Sequence, residues 1–186
     1  MSFIGIIAES KNEMQIKRIL DNNLNNINKE HTVIAINDKS ISNIRNIRFE
    51  TILVMTLDEI TQSREIINEL FKNTKYLVIN SDMNYDSLEI INNMKLNVIT
   101  FGFNQKATVT ASSVEESLMI CLQRKIVDIN KNDLEPQEIS VKVMSKKLLN
   151  KPHNSMGIAS ILLIYGKKEI FFWKILTFYV DKTKIM

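Results

Sequence analysis

Phe3-Ile-Gly-Ile-Ile-Ala8 runs directly into Glu9-Ser-Lys-Asn-Glu-Met-Gln-Ile-Lys-Arg-Ile-Leu20, and this junction decides the fold. The first six residues form a continuous apolar run, as a strand buried on both faces would be. In the next stretch Met14, Ile16, Ile19 and Leu20 recur at helical spacing, so a strand feeding a helix opens the chain. Working outward, His31–Ile36 and Thr51–Thr56 repeat the strand pattern. Ile60–Phe71 repeats the helical one through Ile60, Ile66, Ile67, Leu70 and Phe71. Tyr76–Asn80, a helix at Tyr85–Met94 and a strand at Asn97–Gly102 continue the alternation. Strands alternating with helices predict an α/β fold with a mostly parallel, doubly wound sheet and helices on both faces.

The pattern changes after Gly102. Lys106–Ala111, Leu118–Asp128 and Gln137–Met144 are β-rich, the second and third joined through Asn130-Lys-Asn-Asp133. They predict an antiparallel hairpin or small sheet appended to the parallel one. His153–Tyr165 returns to helical spacing through Met156, Ile158, Ala159, Leu162 and Leu163, with Pro152 at its boundary. No internal repeat or Pro/Ser-rich linker divides the chain. Residues 1–166 therefore read as one α/β domain and 167–186 as a tail rather than a second domain.

The 186 residues, 45% hydrophobic and 24% charged, suffice for one domain around a real core. Ile and Asn fill 29 and 21 positions, so Asn-rich stretches such as Asp21–Asn28 read as composition bias rather than binding chemistry. Cys121, the only cysteine, excludes a disulfide framework and any Cys-based zinc site. Set in Leu118-Met-Ile-Cys-Leu122, it reads as a structural thiol. No basic stretch precedes the first apolar run, and no segment reaches the roughly 18 apolar residues of a membrane span. The expectation is a soluble, cytoplasmic protein without a transmembrane segment. The net charge of +3 arises wholly in residues 167–186, with five Lys against one Glu and one Asp. The first 166 residues balance at 19 against 19, which offers no basic face to nucleic acid.

A doubly wound fold holds phosphate on main-chain N–H groups where its first strand meets the following helix. A phosphate loop needs glycines for close backbone approach and a Lys for charge. Here Ile7-Ala-Glu-Ser-Lys-Asn-Glu-Met14 has neither glycine, and Glu9 and Glu13 add negative charge. Asp58, Glu59 and Asp82 sit at strand ends where carboxylates hold Mg²⁺, but without a phosphate partner they read as solvated. His31 reads as a strand-end residue. Pro152-His153-Asn154 reads as helix capping, with the Asn side chain accepting a backbone N–H, ahead of a binding role. Ser112-Ser113 lacks the Gly-x-Ser-x-Gly setting of a nucleophile.

Four segments, in order, carry a resemblance. They are Asn80-Ser-Asp82 after an apolar strand, Ile99-Thr-Phe-Gly102, the β-rich run from Lys106, and His153-Asn-Ser-Met-Gly-Ile-Ala159. In this order and spacing residues 3–166 resemble the central, ATP-binding domain of the Mur ligases, which join amino acids to peptidoglycan precursors through an acyl phosphate. The family has Asn-Ala-Asp-Asp at the first point, Ile-Thr-Phe-Gly at the second and His-Asn-x-x-Asn-x-x-Ala-Ala at the last. The resemblance implies a P-loop-type sheet, with Lys11, Asn80, Asp82, His153 and Asn154 as the cofactor-binding residues. ATP and Mg would be the cofactors if ligase activity held; otherwise none is expected.

The departures point away from catalysis. The phosphate loop has lost its glycines and its Lys is absent or displaced to Lys11. Asp58-Glu59 stands for an Asp-His pair, Met83 for the second Asp, and Gly157 for the second Asn that lies against adenine in the family. The resemblance does not extend to the family's N- and C-terminal domains. The implied reading is a degenerate, catalytically inactive domain that binds a nucleotide or partner weakly. A ligase subunit completed by another chain is the alternative. A third reading rests on the tail: residues 169–180 hold the only Trp and five of the thirteen aromatic residues, flanked by Lys. So much apolar surface must pack on the domain or find a cover, making residues 170–180 a candidate protein-partner, homo-oligomer or membrane-surface contact.

Overall fold

β1 (Ser2–Ile7) turns Ile4 and Ile6 to one face of a sheet and Phe3 and Ile7 to the other, the alternation of an extended chain buried on both sides. A computed structural model of the chain describes residues 2–24, 30–58, 64–84, 91, 94–114, 117–143, 151–166 and 175–178. The remaining strands are β2 (His31–Ala35), β3 (Thr51–Val54), β4 (Tyr76–Asn80), β5 (Asn97–Phe101), β6 (Val109–Val114), β7 (Ser117–Leu122), β8 (Ile126–Val127), β9 (Asp133–Leu134), β10 (Gln137–Val143) and β11 (Ile175–Phe178). Of these eleven strands among the described residues, nine form one sheet, ordered β11-β10-β7-β6-β5-β4-β3-β1-β2. All neighbours in it are parallel except β7, which runs against both β6 and β10. β8 and β9 make a separate antiparallel hairpin that turns through Lys131 at φ +67°.

Three helices cover the sheet among the described residues: α1 (Ser10–Leu24), α2 (Arg64–Lys72) and α3 (Pro152–Ile164). On one face Ile4, Ile6, Leu53, Val78, Ile99 and Phe101 meet Ile16, Ile19 and Leu20 of α1 and α3 from Met156 to Ile164. On the other, Ile7, Ile52, Val54, Leu77 and Ile79 meet Ile67, Leu70 and Phe71 of α2, with Ile36, Ile41, Ile44 and Phe49 from the β2–β3 connection. α3 is buried from Asn154 to Ile164 because it is apolar all round and lies across β4, β5 and β6 beside α1. Each buried Leu or Ile of such a helix contributes about 2 kcal/mol.

The α/β class, the mostly parallel order and the antiparallel extension are those expected from sequence. Two boundaries differ. The run Leu118–Asp128 breaks at Gln123–Lys125 into β7 and β8, because the chain leaves the main sheet after Leu122 to build the β8–β9 hairpin. The run from Lys106 becomes a strand only at Val109, since Gly102–Lys106 are spent in turns that bring Asn104 back over β4. The helix expected at Tyr85–Met94 lies outside the described residues apart from Ile91 and Met94. Of residues 170–180, only Ile175–Phe178 are described, and they pair with β10 as the sheet's edge strand.

His31 belongs to a structural cluster. Ser2 Oγ lies 2.7 Å from its Nδ1, and its ring meets the edge of Tyr165 with centroids 4.7 Å apart. The Tyr165 hydroxyl sits 3.0 Å from Thr51 Oγ1, and burial pushes its pKa far above the ordinary phenol value. Cys121 is half-buried, and burial followed by the charge of Glu138 raises its thiol, which disfavours the thiolate.

Candidate functional site

The strand order reverses between β1 and β3, since β2 lies on one side of β1 and every later strand on the other. In an open α/β sheet the crevice beyond the carboxyl ends of such strands is where a ligand fits. A pocket of about 300 Å³ lies there. Glu9, Lys11 and Asn12 enter it from the β1–α1 junction and Met55 and Thr56 from the end of β3. Asn80 and Met83 come from the end of β4, and Lys151 to Asn154 from the start of α3.

The β1–α1 junction is short. Only Ala8 and Glu9 separate Ile7 from Ser10, and the Glu9 carbonyl accepts the N–H groups of Asn12 at 2.7 Å and Glu13 at 2.9 Å. The helix thus closes onto the strand end without a loop long enough to wrap a phosphate. The Glu9 carboxylate points along the same wall, where Oε2 takes Lys11 Nζ at 2.9 Å and Asn12 Nδ2 at 3.1 Å. Lys151 Nζ donates to Asn12 Oδ1, tying the start of α3 to the start of α1. Among the described residues the Lys151 ammonium has this neutral amide, not a carboxylate, as its partner.

Asparagines fasten the strand ends. Asn84 accepts the Leu57 N–H at 2.9 Å and donates to the carbonyls of Asn80 at 2.8 Å and Met55 at 3.2 Å, clamping β3 to β4. Asn80 Oδ1 accepts the N–H of Asp82 at 3.1 Å and so orients the carboxylate that follows. Asp82 Oδ1 takes Asn104 Nδ2 at 2.8 Å and Asn104 N–H at 3.3 Å. Its Oδ2 takes Phe103 N–H at 2.7 Å and lies 2.9 Å from His153 Nε2. Burial alone would raise the Asp82 carboxyl, but the hydrogen bonds from Asn104, Phe103 and His153 outweigh it and hold it below the usual carboxylate range. Gly102 is required beside it, because a Cβ there would stand 2.5 Å from Asp82 Oδ1.

His153 is held from a second side by Phe103, whose ring meets it edge-on with centroids 5.1 Å apart. Phe103 and Met83 are exposed by half at the pocket's rim. Asn154, next along α3, is only 5% exposed, lines the pocket, and its Nδ2 has no hydrogen-bond partner among the described residues. The expected capping role is corrected here. The N-cap is Lys151, whose side chain makes no capping hydrogen bond, because Pro152 starts the helix at its own fixed φ and carries Asn154 inside the first turn.

Lys11, Asn80, His153 and Asn154 therefore line one pocket, and Asp82 is bonded to His153 at its edge. Sequence reasoning missed Lys151, Asn12, Phe103 and Asn104. Lys151 was legible as the residue before a helix-starting proline, whereas Asn12 and Asn104 were lost in the discount placed on a common residue. Asp58 is not among the lining residues, and Glu59 lies outside the described ones. Among the described residues no three His, Cys, Asp or Glu side chains are grouped to hold a metal. No helix among them is long and apolar enough to cross a membrane.

No protein-family model matches the sequence, and no curated protein matches it. Among solved structures the fold is similar to that of a MurF ligase from Thermotoga maritima in complex with ADP, at a TM-score of 0.53 and 13% sequence identity. The match covers 89% of this chain and 46% of that one, so this chain spans about half the length of that ligase. At such identity the likeness is one of fold, and the chain has a Mur-ligase-like fold.

Proposed function

We propose that this chain is a nucleotide-binding domain, derived from the central domain of a Mur-type ligase, that holds an adenine nucleotide without catalysing ligation. The observation that carries the reading is Asn154: a buried amide whose Nδ2 has no partner among the described residues, on the wall of a pocket at the sheet's switch point. Leaving such a group unmade costs about 1–3 kcal/mol, which a bound ligand recovers. An Asn amide matches the N6 and N7 edge of adenine with two hydrogen bonds. The similar MurF structure holds ADP, which supports the same class of ligand here. Lys11, Lys151 and the open first turn of α3 supply positive potential for phosphate. Ligation is not proposed, because the two-residue β1–α1 junction has no loop to position a γ-phosphate for transfer.

The test is calorimetric titration with ADP and ATP, beside an assay for phosphate release. Saturable binding at sub-millimolar concentration, weakened about tenfold in Asn154→Ala with its melting temperature retained, and no turnover are expected. An absence of heat at millimolar nucleotide would overturn the reading, and steady phosphate release would overturn its non-catalytic half.

A further inference from the structure

Resting on the nucleotide reading above, we infer that the ligand's phosphate is anchored at the start of α3, by Lys151 and the first backbone N–H groups of that helix, and not at the β1–α1 junction. Two helices, α1 and α3, begin on the walls of this pocket. Each offers N–H groups without an intrahelical acceptor and the positive end of its dipole, the two features that hold an anion. Charge separates them. At α1 the place of an anion is already taken: the Glu9 carboxylate stands directly ahead of the helix, held by Lys11 Nζ at 2.9 Å and Asn12 Nδ2 at 3.1 Å, and Glu13 follows in the first turn. A phosphate there would meet a carboxylate whose charge already offsets that of Lys11. At α3 the first turn holds no acidic residue, and the residue ahead of it, Lys151, is cationic. Pro152 has no N–H, and the Ser155 N–H bonds back to the Lys151 carbonyl at 3.2 Å, so the N–H groups of His153 and Asn154 have no acceptor within the helix. The Lys151 ammonium has the neutral Asn12 amide as its partner among the described residues. Asp82, which is bonded to His153, does not line the pocket, and its charge is met by Asn104, Phe103 and His153. The independent sign that a ligand belongs at this end is Asn154, only 5% exposed on the same wall, with an Nδ2 that has no partner among the described residues.

The experiment is calorimetric titration of the full chain with adenosine, AMP and inorganic phosphate, in wild type and in Lys151→Met, Lys151→Arg and Lys11→Met. AMP is expected to bind about tenfold or more tightly than adenosine, an advantage that Lys151→Met removes, with adenosine bound as before, and that Lys151→Arg and Lys11→Met keep. AMP no tighter than adenosine in wild type, or an advantage lost in Lys11→Met and kept in Lys151→Met, would overturn this inference and leave the nucleotide reading standing. Inorganic phosphate bound as tightly as AMP, lost in Lys151→Met and with adenosine not bound at all, would keep the phosphate subsite and overturn the nucleotide reading. No binding of any of the three would overturn both.

Discussion

His153 Nε2 lies 2.9 Å from Asp82 Oδ2, so a residue at the end of β4 and one in the first turn of α3 meet across 71 positions of sequence. Because an ionised carboxylate only accepts, Nε2 carries the proton and the ring's orientation is set from the sheet side. The pair locks the pocket's helical wall to its strand wall. Substituting Asp82→Asn keeps the shape but turns an NH₂ toward donors that need an acceptor. We expect a loss of about 2 kcal/mol at pH 7, read by urea unfolding.

The same carboxylate predicts a pH dependence. The folded-state pKa of Asp82 lies below its ordinary value, so its contribution is fully present above the unfolded pKa of about 4. It is lost as pH falls from there through the lower folded value. The stability gap between wild type and Asp82→Asn should therefore narrow below about pH 4. An equal gap at pH 3 and pH 7 would show that the native carboxylate is not held in its charged form.

Gly102→Ala tests the close approach of β5 to that carboxylate. A Cβ would stand 2.5 Å from Oδ1 and 2.7 Å from Cγ, closer than side chains tolerate. A cost of about 1–3 kcal/mol is expected, as for overpacking. In an Asp82→Ala background the obstructing atoms are gone, so most of that cost should vanish in a double-mutant cycle. Additive costs would place the strain elsewhere.

At Gly157, α3 presents a bare Cα to the sheet. A Cβ there would lie 3.1 Å from Leu53 Cδ1 and Met55 Sδ and 3.2 Å from Phe101 Cζ. The second Asn of the Mur-ligase helix motif would have to stand at this position, and there is neither room nor a polar partner for it. Gly157→Asn should destabilise by about 3 kcal/mol or more in thermal melting, and a neutral result would mean that α3 sits further from the sheet.

Tyr165→Phe removes the hydroxyl that lies 3.0 Å from the buried Thr51 Oγ1 while keeping the ring against His31. A loss of about 1 kcal/mol is expected, with ADP binding unchanged because neither residue lines the pocket. Loss of ADP binding at retained stability would contradict that separation.

The strands that build the central sheet were legible because burial on both faces leaves a continuous apolar run: Tyr76–Asn80 was read with its observed bounds, and Thr51–Thr56 overran β3 by two residues. α3 was legible through its spacing, one residue from its observed start. What failed was local chemistry that depends on three-dimensional return. Nothing in Phe103-Asn104 signals that a turn brings both N–H groups onto Asp82, 21 and 22 residues earlier. Of the five residues taken from a family resemblance, Lys11, Asn80, His153 and Asn154 line one pocket, and Asp82 meets it only through its bond to His153.

Ala8 and Glu9 alone connect β1 to α1, and this fixes which engineering routes are open. On the proposed reading, exchanging residues would not restore a phosphate loop here, because glycines placed at 8 and 9 would still leave too little chain to encircle a phosphate. The deficit is one of length, and only an insertion that moved the start of α1 away from the sheet would repair it.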